Sequence, residues 1–127
     1  MRGFMALRIL LVDDNVVVRR AVRSCIESQT DWEVCGEAGN GKVAIEMVQT
    51  LLPNVVILDL SMPVMNGLDA ARRIRVLAPE SYILLFTLQA YPDLVEDARK
   101  VGVDKVLSKS AVAGPSLLGA VRSFLAA

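Results

Sequence analysis

Val55-Val56-Ile57-Leu58-Asp59 is an unbroken apolar run, largely β-branched, that ends on a carboxylate. A strand with one wet face alternates apolar and polar residues, whereas a strand covered on both faces reads as a continuous apolar run. This segment therefore reads as the interior of a parallel sheet, with Asp59 just past its carboxyl end. Four other runs have the same character: Leu7–Val12, Trp32–Ala38, Tyr82–Thr87 and Asp104–Ser108. Between them lie segments of helical spacing. Val18, Ala21, Val22, Cys25 and Ile26 define the first helix, with Asn15 as its N-cap. Val43, Ala44, Met47, Val48 and Leu51 define the second, stopped by Pro53. Leu68, Ala71, Ile74 and Arg75 mark a third that ends before Pro79, and Leu94, Val95, Ala98 and Val101 a fourth closed by Gly102. Leu117, Leu118, Val121, Phe124 and Leu125 form the fifth, opening at Pro115 in the first turn.

Strict βα alternation implies an α/β fold, a doubly wound parallel sheet with right-handed crossovers and helices on both faces. The chain has 127 residues, enough for one such domain. No linker or repeat interrupts it, so residues 7–127 form one domain and Met1–Ala6 an N-terminal extension. Composition fits a doubly covered sheet: 54% of residues are hydrophobic and mean hydropathy is +0.46. The longest apolar runs, such as Ile83–Phe86, fall far short of the ~20 residues that span a bilayer, and no secretory signal opens the chain. Membrane insertion is not expected.

Fourteen basic and 14 acidic residues balance to zero, which leaves no electrostatic footprint for nucleic acid in this segment. Histidine is absent, which removes histidine-bound zinc, a Ser-His-Asp triad and a histidine base. Any phosphohistidine chemistry must come from another protein. Cys25 and Cys35 have no metal spacing, and read as buried, inert thiols suited to a reducing cytoplasm.

In sheets of this kind, chemistry lies beyond the carboxyl ends of the strands. Those ends carry Asp13 and Asp14 (first), Asp59 (third), Thr87 (fourth) and Lys109 (fifth), while the second ends in Ala38-Gly39. Three carboxylates in a small space repel one another, and a hard divalent cation relieves this. Mg²⁺ takes one or two carboxylates and leaves room for waters and phosphate oxygens. A threonine hydroxyl and a lysine ammonium suit the equatorial oxygens of a transferring phosphoryl group, and a carboxylate can be its nucleophile. Taken singly, Asp13 and Asp14 could be helix caps, Thr87 a strand-end residue and Lys109 a surface lysine. Their coincidence on four strand ends favours a phosphoryl site.

Leu10-Leu11-Val12-Asp13-Asp14-Asn15, Asp59-Leu60-Ser61-Met62-Pro63-Val64-Met65-Asn66-Gly67-Leu68, Thr87 and Lys109-Ser110 resemble the receiver domains of two-component response regulators, above all those joined to LuxR-type helix-turn-helix outputs. The likeness runs from about Leu7 to the last helix. It implies a five-stranded parallel (βα)5 sheet of flavodoxin-like order 2-1-3-4-5. It also implies that Asp59 is the phosphoacceptor, that Asp14, Asp59 and the Ser61 backbone carbonyl ligate Mg²⁺, and that Asp13 acts through water. Lys109 would pair with the phosphoryl group and Thr87 would move to hydrogen-bond it. A sensor histidine kinase or phosphotransfer protein would be the donor, and the domain would catalyse only its own phosphorylation and dephosphorylation. The output expected is a homodimer or docked partner on the face of the fourth helix, fifth strand and fifth helix. Such receivers commonly continue into a DNA-binding module; a free-standing receiver is the other expectation.

Two positions depart from the family pattern. Leu88 follows Thr87 where a small residue is usual, and Val106 stands three before Lys109 where an aromatic switch is usual. Leu88 would slow access of the donor; Val106 removes ring rotation as the reporter of Thr87, and Tyr91 is the substitute considered. These departures favour, as an alternative, a pseudo-receiver that binds proteins without phosphorylation. A haloacid-dehalogenase-like phosphatase is disfavoured because its nucleophile ends the first strand, with a second Asp two residues on, where this chain has Asn15. A flavodoxin-like electron carrier is disfavoured because Asp13-Asp14-Asn15 would repel a flavin phosphate.

Overall fold

A computed structural model describes residues 6–88, 91–109 and 113–126. The extension proposed for Met1–Ala6, apart from Ala6, and Ser110 of the Lys-Ser pair lie outside them. The elements are β1 (Leu7–Val12), α1 (Val16–Glu27), β2 (Trp32–Ala38), α2 (Gly41–Leu51), β3 (Val55–Leu58), α3 (Gly67–Leu77), β4 (Tyr82–Thr87), α4 (Leu94–Lys100), β5 (Lys105–Ser108) and α5 (Ala113–Ala126). All strand pairs are parallel, and the sheet order is β2-β1-β3-β4-β5, as expected.

The pleat divides the apolar runs between two cores. Leu10, Val12, Val56, Leu58, Ile83 and Leu85 pack with α2, α3 and α4 residues such as Val48, Ile74 and Ala98. Their neighbours Ile9, Leu11, Val55, Ile57, Leu84 and Phe86 pack with Val22, Ile26, Leu117 and Val121 of α1 and α5. Ile9, Leu10, Val55, Val56, Leu58, Ile83, Leu84 and Leu85 are wholly buried. Each such side chain contributes roughly 1.5–3 kcal/mol on leaving water, so the central strands are where stability concentrates. This is why β1, β3 and β4 read as continuous apolar runs.

Helix ends follow local chemistry. The Asn15, Asn40 and Asn66 side chains cap α1, α2 and α3 by accepting from backbone N–H groups. Gly102 turns the chain after α4 at φ +99°. Arg75 of α3 fixes the far end of the sheet, donating to the carbonyls of Pro79, Ser81 and Gly102 and to Asp104.

Several expectations need correction. The fifth strand starts at Lys105 rather than Asp104; the Asp104 carboxylate is engaged by Ile83 N–H and Arg75. Helix α5 is present from Ala113, ahead of Pro115, which therefore lies inside its first turn, where a missing N–H costs nothing. Ala21, Val95 and Leu125, assigned to buried helix faces, are exposed. Apolar spacing fixes a stripe but not its width, and Leu94 with Ala98 suffices to seat the short α4. Cys25 and Cys35 are half-buried rather than buried, although burial still raises both thiols above their usual range.

Candidate functional site

Parallel register brings the four strand ends to one rim. Val12 pairs with Leu58 and Leu58 with Leu85, so Asp13 and Asp59 emerge side by side, while β4 and β5 run on past that level to the Thr87–Ser108 pair and stand beside the two aspartates. Backbone hydrogen bonds extend this one step: Asp13 N–H to Ala38 O (3.0 Å), Asp59 N–H to Val12 O (2.9 Å) and Lys109 N–H to Thr87 O (2.9 Å). Asp13, Asp14 and Asp59 each offer a carboxylate oxygen within 4.8 Å of the others.

The loops are shaped around these residues. Asn15 N–H donates to Asp13 Oδ1 at 2.9 Å while the Asn15 side chain caps α1. After β3, Gly67 N–H returns to Leu60 O at 2.8 Å. A Cβ at Gly67 would lie 2.2 Å from Asp59 O, so only glycine lets α3 start this close to the Asp59 backbone. Val64, 76% exposed, holds φ +71° in the loop between β3 and α3. Positive φ is strained for a β-branched residue.

Lys109 is the site's internal cation. Its Nζ lies 2.5 Å from Asp13 Oδ2 and 3.2 Å from Asp59 Oδ1, and 5.8 Å above the centroid of the Phe86 ring. Asp13, Asp59 and Thr87 are buried, while Asp14 is exposed. Burial pushes the Asp59 carboxyl above its usual range; Lys109 opposes this and Asp13 adds to it. One ammonium thus pairs with two buried carboxylates of a three-carboxylate cluster, and leaves Asp14 without a cationic partner among the described residues. An all-oxygen donor set with excess negative charge fits a hard divalent cation such as Mg²⁺ and no soft metal.

The other expected residues fall around this centre. Ser61 is exposed and lines a cleft with Asp14, Met62, Asn66 and Tyr91. Tyr91 is exposed, and its hydroxyl donates to Asp97 Oδ2 at 3.5 Å. Leu88, directly after Thr87, is 74% exposed. Val106 is half-buried against the α2–α4 core. Two neighbours escaped the sequence reading: Phe86, beneath Lys109, and Arg19, whose Nη1 donates to the Asp13 carbonyl at 2.5 Å. Phe86 carries no sequence signal beyond its apolar run. Arg19 had one, a basic residue on the helix that follows the paired aspartates.

Residues 9–122 match the response regulator receiver domain family. Among curated relatives, the protein-glutamate methylesterase/protein-glutamine glutaminase of Pyrococcus abyssi (strain GE5 / Orsay) is 48% identical over 82 residues, 65% of this chain and 22% of that protein. The nitrate/nitrite response regulator protein NarL of Escherichia coli (strain K12) is 38% identical over 101 residues, 80% of this chain and 47% of NarL. The chain thus spans less than half the length of either. A LuxR-family two-component response regulator from Aurantimonas sp. SI85-9A1 superposes with a TM-score of 0.89 at 30% identity, covering 95% of this chain and 86% of that one.

Proposed function

From the premise that this chain belongs to the response regulator receiver domain family, we propose that Asp59 is its phosphoacceptor and that Asp13, Asp14, Thr87 and Lys109 complete the site. The domain is a signalling module of two-component systems. The observation that carries the assignment is the half-buried Lys109 ammonium bridging Asp13 and Asp59 at one rim of the sheet.

In the proposed step an Asp59 carboxylate oxygen attacks the phosphorus of a phosphohistidine or small acyl phosphate. The new P–O bond forms as the bond to the donor's nitrogen or acyl oxygen breaks. Lys109 favours the ionised form of Asp59 and so offsets part of the burial that raises its pKa. It then balances negative charge on the transferred group, and Thr87 supplies a hydroxyl donor. Asp13, Asp14, Asp59 and the Ser61 carbonyl would hold Mg²⁺. When bound, the ion would offset the charge of the carboxylates and phosphoryl oxygens.

We assign the donor as a sensor histidine kinase or phosphotransfer protein in the cytoplasm, and the domain's own chemistry as self-phosphorylation and its reversal. The functional unit starts at Leu7, preceded by Met1–Ala6 as an extension. Output is proposed through α4, β5 and α5, because Thr87 and Lys109 stand on the strands bordering that face, and exposed Val95 offers an apolar contact there. This would yield a homodimer or a docked partner, which could be a DNA-binding module. Among the described residues no helix is long and apolar enough to cross a membrane. The pseudo-receiver reading draws support from Val106 in place of an aromatic.

Labelling with acetyl phosphate and Mg²⁺, borohydride reduction and mass mapping tests the assignment. An adduct on Asp59, lost in Asp59→Ala, is expected. An adduct on Asp13 would overturn the scheme, and the absence of any adduct would favour the pseudo-receiver. Hydrogen exchange with beryllofluoride should change between Thr87 and Phe124; change confined to the Asp59 loop would remove the output face.

A further inference from the structure

We propose that Arg19 is a positioning residue that fixes the relative placement of Asp13 and Asp14, with Glu37 and Arg23 as its anchor. This deepens the cation-site reading above and rests on it. The Asp13 carbonyl belongs to the peptide group that joins the two aspartates, so its orientation decides where the Asp14 side chain leaves the backbone. Asp13 is held at its N–H by Ala38 O (3.0 Å) and at its side chain by Asn15 N–H (2.9 Å). Its carbonyl accepts from Arg19 Nη1 at 2.5 Å. Among the described residues the Asp14 carboxylate has no hydrogen-bond or ion-pair partner, so the backbone alone aims it.

Arg19 can hold that carbonyl because it is itself held. Its Nε donates to Glu37 Oε1 at 2.9 Å, and Arg23 Nε donates to Glu37 Oε2 at 2.8 Å. Glu37 lies on β2 opposite Leu11, on the strand paired with the one that delivers Asp13. Burial alone would raise the Glu37 carboxyl; hydrogen bonds from Arg23 and Arg19 outweigh this and hold it below its usual range. The Arg19 side chain is only 19% exposed, unlike a solvated surface pair. A guanidinium can bond the carbonyl and the carboxylate at once from its rigid fork, which a single ammonium cannot do in the same geometry.

The sign of one measurement separates positioning from simple charge. A cation beside an acidic cluster repels Mg²⁺, so if Arg19 acted only by charge, Arg19→Ala would tighten Mg²⁺ binding. As a positioning residue its loss weakens binding, by roughly tenfold, the low end for partners that orient metal ligands. Arg19→Lys keeps the charge but not the fork and should weaken binding similarly, while Glu37→Gln should give a smaller loss. Mg²⁺ is titrated calorimetrically into metal-free protein at constant ionic strength, with amide exchange at Asn15 and Arg19 followed without metal. Faster exchange at Asn15 in Arg19→Lys is expected. Unchanged or tighter Mg²⁺ binding in Arg19→Ala or Arg19→Lys would overturn the proposal. If Arg19→Ala fails to fold, Arg19→Lys and Glu37→Gln decide. If wild type itself does not bind Mg²⁺, the cation reading fails, and unchanged Asn15 exchange in Arg19→Lys would separately overturn the positioning role.

Discussion

Replacing Gly67 with alanine adds one methyl group at the point where α3 meets the phosphoacceptor backbone. That Cβ would lie 2.2 Å from Asp59 O, 2.9 Å from Leu60 Cα and 3.0 Å from Asp59 C, all backbone atoms that cannot swing aside. Opening the closest contact from 2.2 Å to even 3.0 Å moves the start of α3 or the Asp59 carbonyl by roughly 0.8 Å, the kind of overpacking that costs about 1–3 kcal/mol. The upper half of that range is expected, since Asp59 is tied to Val12 O and Gly67 to Leu60 O. In a domain of this size it lowers Tm by about 10 °C. Moving the Asp59 carbonyl also shifts the proposed nucleophile, and misplacement on the order of 1 Å can cost ~100-fold in rate. Gly119 of α5 supplies an internal control. Its added Cβ meets nothing within 4 Å, so Gly119→Ala should stabilise by about 0.5–1 kcal/mol through helix propensity. Thermal melts of both variants and acetyl-phosphate labelling of Gly67→Ala are the assays. A Gly67→Ala protein that melts with wild type and labels at the same rate would refute the close approach of α3 to Asp59.

Asp59→Asn addresses burial of the carboxylate. Because Asp59 binds its proton more tightly folded than unfolded, its contribution to stability is full below the ordinary carboxylate pKa and is lost as pH rises through the raised folded value. With chelator present, Asp59→Asn should therefore match wild type in acid and melt higher near neutral pH; a constant difference across pH would contradict this. Leu88→Ala should raise the rate of acetyl-phosphate labelling by removing an exposed side chain beside Thr87; an unchanged rate would exclude steric gating. Val64→Asn should raise the urea midpoint, by about 0.5–1 kcal/mol in stability, since asparagine tolerates positive φ and little packing is lost. No gain would mean that the loop relaxes the strain elsewhere.

The sequence by itself determined the layer structure, because burial on both faces writes a continuous apolar run such as Val55–Leu58, and helical spacing writes itself between such runs. It also supplied the five residues of the candidate site, because strand-end positions follow from where each run stops. The exposure of Val95 and the half-burial of Cys35 were not legible, since local periodicity does not say how wide a neighbouring element is. Only the tertiary structure placed the Lys109 ammonium between Asp13 and Asp59, across a separation of 96 residues from Asp13. Only it showed Arg19 spending its fork on the Asp13 carbonyl and Glu37. Such contacts depend on strand register and on which way a long side chain leaves its helix, and these are set by packing distant segments together rather than by any local pattern.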